Sequence, residues 1–167
     1  MNLNTSLVQR LRGALVQSGR LASDAATSAQ QPAGPDVHDT ALERIYPFAE
    51  TLYLVMMIDG EADAAELDAI RGAIRILSNG LLADSALDAI FERCRERAAQ
   101  RGAGACWQEI GALLSSDRLD RETAFTLAAA VAMADDELRN AESALIGDIC
   151  EWFGISNKRA QVLLQDA

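Results

Sequence analysis

Two short acidic segments hold the residues of this sequence that are best suited to chemistry. Their carboxylates are Asp59, Glu61, Asp63 and Glu66 in the first acidic segment, and Asp135, Asp136, Glu137 and Glu142 in the second. Grouped carboxylates raise each other's pKa unless a cation lies between them. Because oxygen ligands without histidine or cysteine suit hard ions, we expect a divalent cation there, Ca²⁺ or Mg²⁺ rather than Zn²⁺.

An internal repeat relates the two acidic segments. Met57–Glu61 aligns with Met133–Glu137, and the same offset places Glu66 on Glu142. Each half contains an apolar helix, an acidic turn, a helix with glutamate in its first turn, a glycine and a short capped helix. The repeat, over about residues 47–98 and 117–167, predicts two helical hairpins packed about a pseudo-two-fold axis.

Chain reversal at each acidic turn brings carboxylates from two helix ends together. Asp59 can face Glu66 across the first turn, and Asp135 can face Glu142 across the second. The aspartates follow helix C-termini, where the helix dipole disfavours an anion, whereas the glutamates lie near favourable N-termini. A cation between them would offset the unfavourable charges.

A simpler interpretation assigns these acids to helix capping. Asp63 and Glu66 have the spacing of a capping pair, and Glu61 and Glu137 would then be solvated turn residues. The first segment is not an EF-hand loop, because Ala64 stands where that loop requires glycine. The repetition of the pattern in both halves is what favours cation binding.

Composition excludes several classes of function. The 167 residues include 25 acidic and 15 basic side chains, and a net charge of −10 disfavours nucleic-acid binding. Cys94, Cys106 and Cys150 have neither paired nor ligand-like spacing, which indicates buried, inert thiols in a reducing cytoplasm. With His38 as the single histidine, and no evident nucleophile, we expect no enzymatic activity. A metal-dependent carboxylate hydrolase is the less favoured alternative.

The elements that position the acidic segments are helices. Apolar residues recur with helical spacing from Asp39 onward and no stretch alternates with period two, so the sequence predicts an all-α domain of about seven short helices. Pro47 is expected to kink the first of them or to force a fresh start. The predicted helices cover about residues 39–58, 63–77, 84–98, 107–114, 117–134, 140–153 and 156–165. This helical domain spans residues 40–167.

A separate amphipathic helix precedes the domain. It lies in residues 1–21 with its apolar face over residues 3–18, and a Pro- and Ala-containing flexible linker follows at residues 22–39. This helix could pack on the domain, form a homodimer with a second chain, or lie on a membrane surface. Three arginines attract lipid weakly, so the first two are favoured. No apolar run approaches the ~18 residues of a transmembrane helix.

A run of basic residues lies on the predicted helix at about residues 84–98 and just after it, which is the fourth helix when the N-terminal one is counted. It consists of Arg93, Arg95, Arg97 and Arg101, with Glu92 and Glu96 interleaved. Such a run is typical of a solvated, salt-bridged face, and the alternative is a contact for an anionic partner.

The acidic segments also resemble a known signature. Met57-Ile58-Asp59-Gly60-Glu61…Glu66 and Ala134-Asp135-Asp136-Glu137…Glu142 are similar to the A-D-G-x-x-x-x-x-E motif of the TerB-like (tellurite resistance protein B) superfamily. The resemblance covers roughly residues 40–167. It implies a helical domain of two related halves whose acidic residues bind a divalent metal. It also implies a cytoplasmic role in stress or metal resistance, often with membrane-associated partners, and no known enzymatic activity.

Carried over by position, Asp59 and Glu66 match the signature in the first half, and Asp135 and Glu142 match it in the second. Asp136 replaces the usual glycine. The sequence therefore predicts a cytoplasmic, TerB-like, cation-binding interaction module in a tellurite, metal or general stress-resistance system. The alternative is a metal-free protein-interaction or peripheral membrane scaffold tethered by its N-terminal helix.

Overall fold

A computed structural model of the chain describes the backbone of residues 4–21, 35–59, 64–133 and 140–165. Side chains are described in these ranges except at 35–39, 41, 59 and 140–143. The described ranges contain helices and no strand, which confirms the all-α prediction. The helices are α1 (Thr5–Gln17), α2 (Pro35–Met56) with a 3-10 turn (Met57–Asp59), α3 (Ala64–Leu77), α4 (Asp84–Arg101), α5 (Ala103–Leu114), α6 (Arg118–Ala132), α7 (Asn140–Phe153) and α8 (Asn157–Gln165).

Helices α2 and α6 form the centre of the core. Helix α2 packs on α3, α4, α5 and α6, and α6 also packs on α1, α5, α7 and α8. In α2, residues 48–56 are buried at every position, and so are residues 123–129 of α6. A helix that is apolar on most of its surface must be covered on all sides, which explains why these two lie innermost.

Two helix starts differ from the predicted ones. Helix α2 begins at Pro35 rather than near Asp39, so its first turn extends into the predicted linker. Proline suits the first turn of a helix because its fixed φ is helical and its missing N–H has no partner there. Helix α5 begins at Ala103 rather than near Trp107, because Gly102 at φ +80° alone separates it from α4.

The predicted fresh start at Pro47 does not occur. Helix α2 continues through Pro47 as a single helix. The proline removes one backbone hydrogen bond, but tertiary packing on both sides of the helix stabilises the segment. Near this position the Thr51 hydroxyl Oγ1 donates a hydrogen bond to the backbone carbonyl oxygen of Pro47 at 2.7 Å.

The N-terminal helix packs on the domain, the first of its three predicted placements. The apolar side chains Leu7, Val8 and Leu15 are all buried, and α1 contacts α3 and α6. Arg20, just after α1, pairs with Asp117 and Asp120 at the start of α6. The apolar face of α1 is therefore occupied within the chain.

Close approach of α5 and α7 depends on a glycine. A Cβ added at Gly111 would overlap the backbone carbonyl of Trp152, so α7 can lie this close only where α5 has no side chain. Trp107 and Trp152 stack beside this point, with ring centroids 5.6 Å apart. Both tryptophans therefore contribute to the packing of α5 on α7.

Two further predictions concern burial and membranes. Cys94, Cys106 and Cys150 are all buried and free, and burial raises the pKa of the Cys94 thiol to about 12. Such a thiol stays protonated and inert at neutral pH, as predicted. Within the described ranges, no helix combines the length and the apolar character needed to cross a bilayer.

Candidate functional site

Each acidic segment joins two helices that pack on each other. The first follows the 3-10 turn at the end of α2 and leads into α3, and the second follows α6 and leads into α7. Helix α2 packs on α3, α6 packs on α7, and α2 and α6 pack on each other. This pairing agrees with the two-hairpin bundle that the internal repeat predicts.

Among the eight predicted ligands, one has a described side chain. Glu66 lies half-buried in the first turn of α3, where the helix dipole favours its negative charge. The backbones of Asp59 and Glu142 lie in the 3-10 turn and in α7, respectively, without described side chains. The remaining five lie outside the described residues: Glu61, Asp63, Asp135, Asp136 and Glu137. The carboxylate cluster therefore stays a prediction.

The donor chemistry of the acidic segments fits a hard divalent cation. All eight candidate ligands are carboxylates, and Ca²⁺ and Mg²⁺ prefer oxygen ligands. In the part of the chain that the structure describes, no group of three or more histidine, cysteine or acidic side chains is placed to hold a metal ion.

A largely apolar groove is lined by one helix from each hairpin and by α4 and α5, with Arg95 as a charged residue at its wall. It has a volume of about 510 Å³ and is bordered by the end of α2, by α4, by the start of α5 and by α7. Ile58, which directly precedes Asp59, forms part of its wall, as does Leu145, which lies one helical turn after Glu142. The groove therefore borders the backbone at Asp59 and the first turns of α7.

An ion-pair cluster around a buried glutamate was not predicted from the sequence, and we call it the interior cluster: Glu50 of α2, Arg97 of α4 and Glu109 of α5. Arg97 donates from Nε to Glu50 at 2.8 Å and from Nη2 to Glu109 at 2.7 Å. The Glu50 side chain is only 3% exposed, and burial raises its pKa although Arg97 counteracts this. A glutamate inside the apolar run of α2 was the available signal.

The remaining arginines of the basic run are paired or stacked on the same surface. Arg95 pairs with Glu92 at 2.6 Å, and Arg101 pairs with Glu109. Arg93 lies over the ring of Tyr46, 4.3 Å from its centroid. The prediction of a salt-bridged face holds for Arg95 and Arg101, whereas Arg97 reaches inward to a buried partner.

Comparisons with known proteins give one finding. A search of curated proteins and a search of solved structures found no match. The model of the family described as "Tellurite resistance protein TerB" matches residues 48–164, which is well over half of the chain. The match includes both acidic segments and helices α3 to α7 entire. The chain therefore belongs to the TerB family.

Proposed function

We propose that this chain is a cation-binding interaction module of the TerB family without enzymatic activity, acting in the cytoplasm in tellurite, metal or general stress resistance. The observation that carries the proposal is the duplicated acidic segment. Each copy joins the two helices of a packed hairpin, and the hairpins share the α2–α6 interface. Family membership supports the same assignment.

The principal ligands in this proposal are one aspartate and one glutamate from each half, with the remaining acids as auxiliary ligands. Asp59 and Glu66 serve the first segment, and Asp135 and Glu142 serve the second. A bound cation would neutralise negative charge that accumulates at the ends of α2 and α6, where the helix dipole disfavours it. It would thereby couple one hairpin to the other.

The groove supports the interaction part of the proposal. Its wall is largely apolar, and a concave apolar surface of this size can receive apolar side chains of a protein partner. Ile58 and Leu145 link this wall to the two hairpins that carry the acidic segments. A cation that changes the angle between the hairpins would change the groove, and this would make partner binding dependent on the ion.

The same groove supports a second candidate, a metal-free interaction module. Its surface needs no cation to bind apolar groups. The version in which the N-terminal helix tethers the chain to a membrane or a second chain requires α1 to detach, because Leu7, Val8 and Leu15 are buried against the domain. We therefore favour the cation-binding module.

Titration calorimetry with Ca²⁺, Mg²⁺, Mn²⁺ and Zn²⁺ tests the proposal on the full chain. We expect binding tighter than about 1 mM, with Ca²⁺ or Mg²⁺ preferred over Zn²⁺. Replacing Asp59→Asn together with Asp135→Asn should weaken binding by roughly tenfold or more, because one carboxylate ligand is lost from each half.

The matched control removes the same amount of charge elsewhere. Asp68→Asn with Asp148→Asn changes two exposed aspartates of α3 and α7 outside the predicted ligand set. This control should leave affinity nearly unchanged. Affinity weaker than millimolar for all four ions, or an equal loss in both double variants, would contradict the cation site and leave the metal-free module.

A further inference from the structure

A small pocket at the junction of α6 and α8 is lined by basic residues. Its volume is about 250 Å³, and its wall consists of Arg118, Arg121, Glu122, Gly154, Ile155, Ser156 and Arg159. The lining includes three guanidinium groups and one carboxylate, so it carries two net positive charges. In a chain with a net charge of −10, such a local excess of positive charge needs an explanation.

One carboxylate organises two of the three arginines, and we call this group the α6–α8 cluster: Glu122, Arg118 and Arg159. Arg159 binds Glu122 through two nitrogens, Nε at 2.8 Å and Nη2 at 2.6 Å. Arg118 donates from Nε to Glu122 at 2.7 Å. The Arg118 side chain is 72% exposed, so much of its guanidinium faces solvent.

Arg121 is only partly satisfied. Its Nη1 donates to the Phe153 carbonyl at 3.2 Å, while its Nε is buried and has no hydrogen-bond partner among the described residues. The buried Nε is out of reach of the pocket, but Arg121 lines the pocket wall and has no carboxylate partner among the described residues. Its guanidinium charge is therefore available to an anion in the pocket.

The start of α8 adds further positive electrostatic potential to the pocket. Ser156 caps this helix, since its Oγ accepts from the Arg159 backbone N–H at 3.4 Å. The first N–H groups of a helix lack carbonyl partners within it, and they carry partial positive charge. Gly154, at φ +62°, lies against Arg121 Nη1, and a side chain there would be strained.

We propose that this pocket binds a small doubly charged oxyanion of the phosphate type. Arginine forks match the oxygens of such anions, and two net positive charges balance a dianion. Arg118 and Arg121 supply the donors, while Arg159 stays paired with Glu122 in the pocket wall. The volume of about 250 Å³ is ample for one such group.

Titration of the full chain with inorganic phosphate, and in parallel with sulfate, tests the proposal. Chloride keeps the ionic strength constant, and the amide resonances of residues 154–159 report binding by nuclear magnetic resonance. We expect a saturable change with both dianions. Arg118→Gln and Arg121→Gln should each weaken affinity by about tenfold, the effect of one charge-assisted hydrogen bond.

Two further variants separate a binding site from an ion pair that only holds helices together. Arg95→Gln is the matched control: Arg95 is 68% exposed and pairs with a glutamate on its own helix, as Arg118 does, so its loss should leave phosphate affinity unchanged. Glu122→Gln removes the one negative charge of the pocket and should tighten phosphate binding several-fold.

The proposal fails if phosphate and sulfate give no saturable response below roughly 10 mM. It also fails if Arg95→Gln weakens binding as much as Arg118→Gln, since the response would then reflect overall charge. Should Glu122→Gln not fold, the comparison of Arg118→Gln with Arg95→Gln decides alone, because both replaced side chains lie largely in solvent.

Discussion

The interior cluster and the α6–α8 cluster pair the same residue types, glutamate and arginine, in different surroundings. In the interior cluster Arg97 lies between Glu50 and Glu109 and joins α2, α4 and α5. In the α6–α8 cluster the order is reversed, because one glutamate, Glu122, lies between two arginines. Because Arg101 also pairs with Glu109, the two glutamates of the first group are matched by two arginines, whereas the second group has an excess of positive charge.

The two central glutamate side chains also differ in how deeply they are buried. The side chain of Glu50 is 3% exposed and that of Glu122 is 14% exposed. Burial raises the pKa of Glu50, whereas hydrogen bonds from Arg159 hold the pKa of Glu122 below its ordinary value. A neighbouring arginine therefore holds the pKa of a glutamate below its ordinary value only where hydrogen bonding and charge outweigh the loss of water.

The largest effect is expected from Arg97→Met. This change leaves the Glu50 carboxylate buried without its cation and also removes the 2.7 Å hydrogen bond to Glu109. Breaking a buried pair from one side costs about 3–5 kcal/mol, so we expect a loss of about 3 kcal/mol in the free energy of unfolding. Urea unfolding at neutral pH, with linear extrapolation, measures it.

Arg95→Met provides the control on the same helix. Its pair with Glu92 is exposed, and such pairs contribute roughly 0–1 kcal/mol. Replacing both partners, Glu50→Leu with Arg97→Met, should recover most of the stability, since the buried carboxylate is then gone as well. Equal losses for Arg97→Met and Arg95→Met would show that depth does not distinguish these pairs.

A smaller loss is expected from Glu122→Gln, which breaks the α6–α8 cluster. The variant leaves Arg118 and Arg159 without their carboxylate, but these side chains are 72% and 38% exposed and water can solvate them. We expect a loss of about 1 kcal/mol, because ion pairs with solvent-exposed partners contribute little net free energy. The same urea experiment measures it, and a loss as large as that of Arg97→Met would contradict the comparison.

Local sequence signals were sufficient for most of the fold. The helical spacing of apolar residues predicts the helices themselves. Asn79, Gly80 and Gly154, all at positive φ, mark the ends of α3 and α7. The repeat predicted which helices form hairpins. The start of α2 at Pro35 was missed, because proline in a Ser- and Ala-containing segment resembles a linker as much as a helix start.

The ion-pair clusters could not be predicted, because their partners are distant in sequence. Arg97 and Glu50 are 47 residues apart, and Arg159 and Glu122 are 37 apart. Pairing rules within a helix relate only residues three or four apart, such as Arg118 and Glu122. Which helix faces which depends on packing of the whole core. The acidic segments are the opposite case, since sequence suggests their chemistry and the described residues do not include their side chains.

The smallest and most selective test uses pH, because the two glutamates should respond in opposite directions. The pKa of Glu50 is raised on folding, so between its ordinary value of about 4.3 and the raised value the folded state binds more protons. The stability of the natural chain relative to Glu50→Gln should therefore fall as pH rises through this window. The pKa of Glu122 is lowered on folding, so its contribution is complete above about 4.3 and is lost as pH falls through the folded value.

Urea midpoints of the natural chain, Glu50→Gln and Glu122→Gln, measured from about pH 3 to about pH 7, give both differences in one experiment. The stability of the natural chain relative to Glu50→Gln should be greatest at the acid end of this range. Its stability relative to Glu122→Gln should be greatest near neutral pH. Glutamine keeps the size of each side chain, so the slopes report charge rather than packing. Differences that move in the same direction with pH would mean that one physical term controls both carboxylates, and the contrast between burial and hydrogen bonding would not hold.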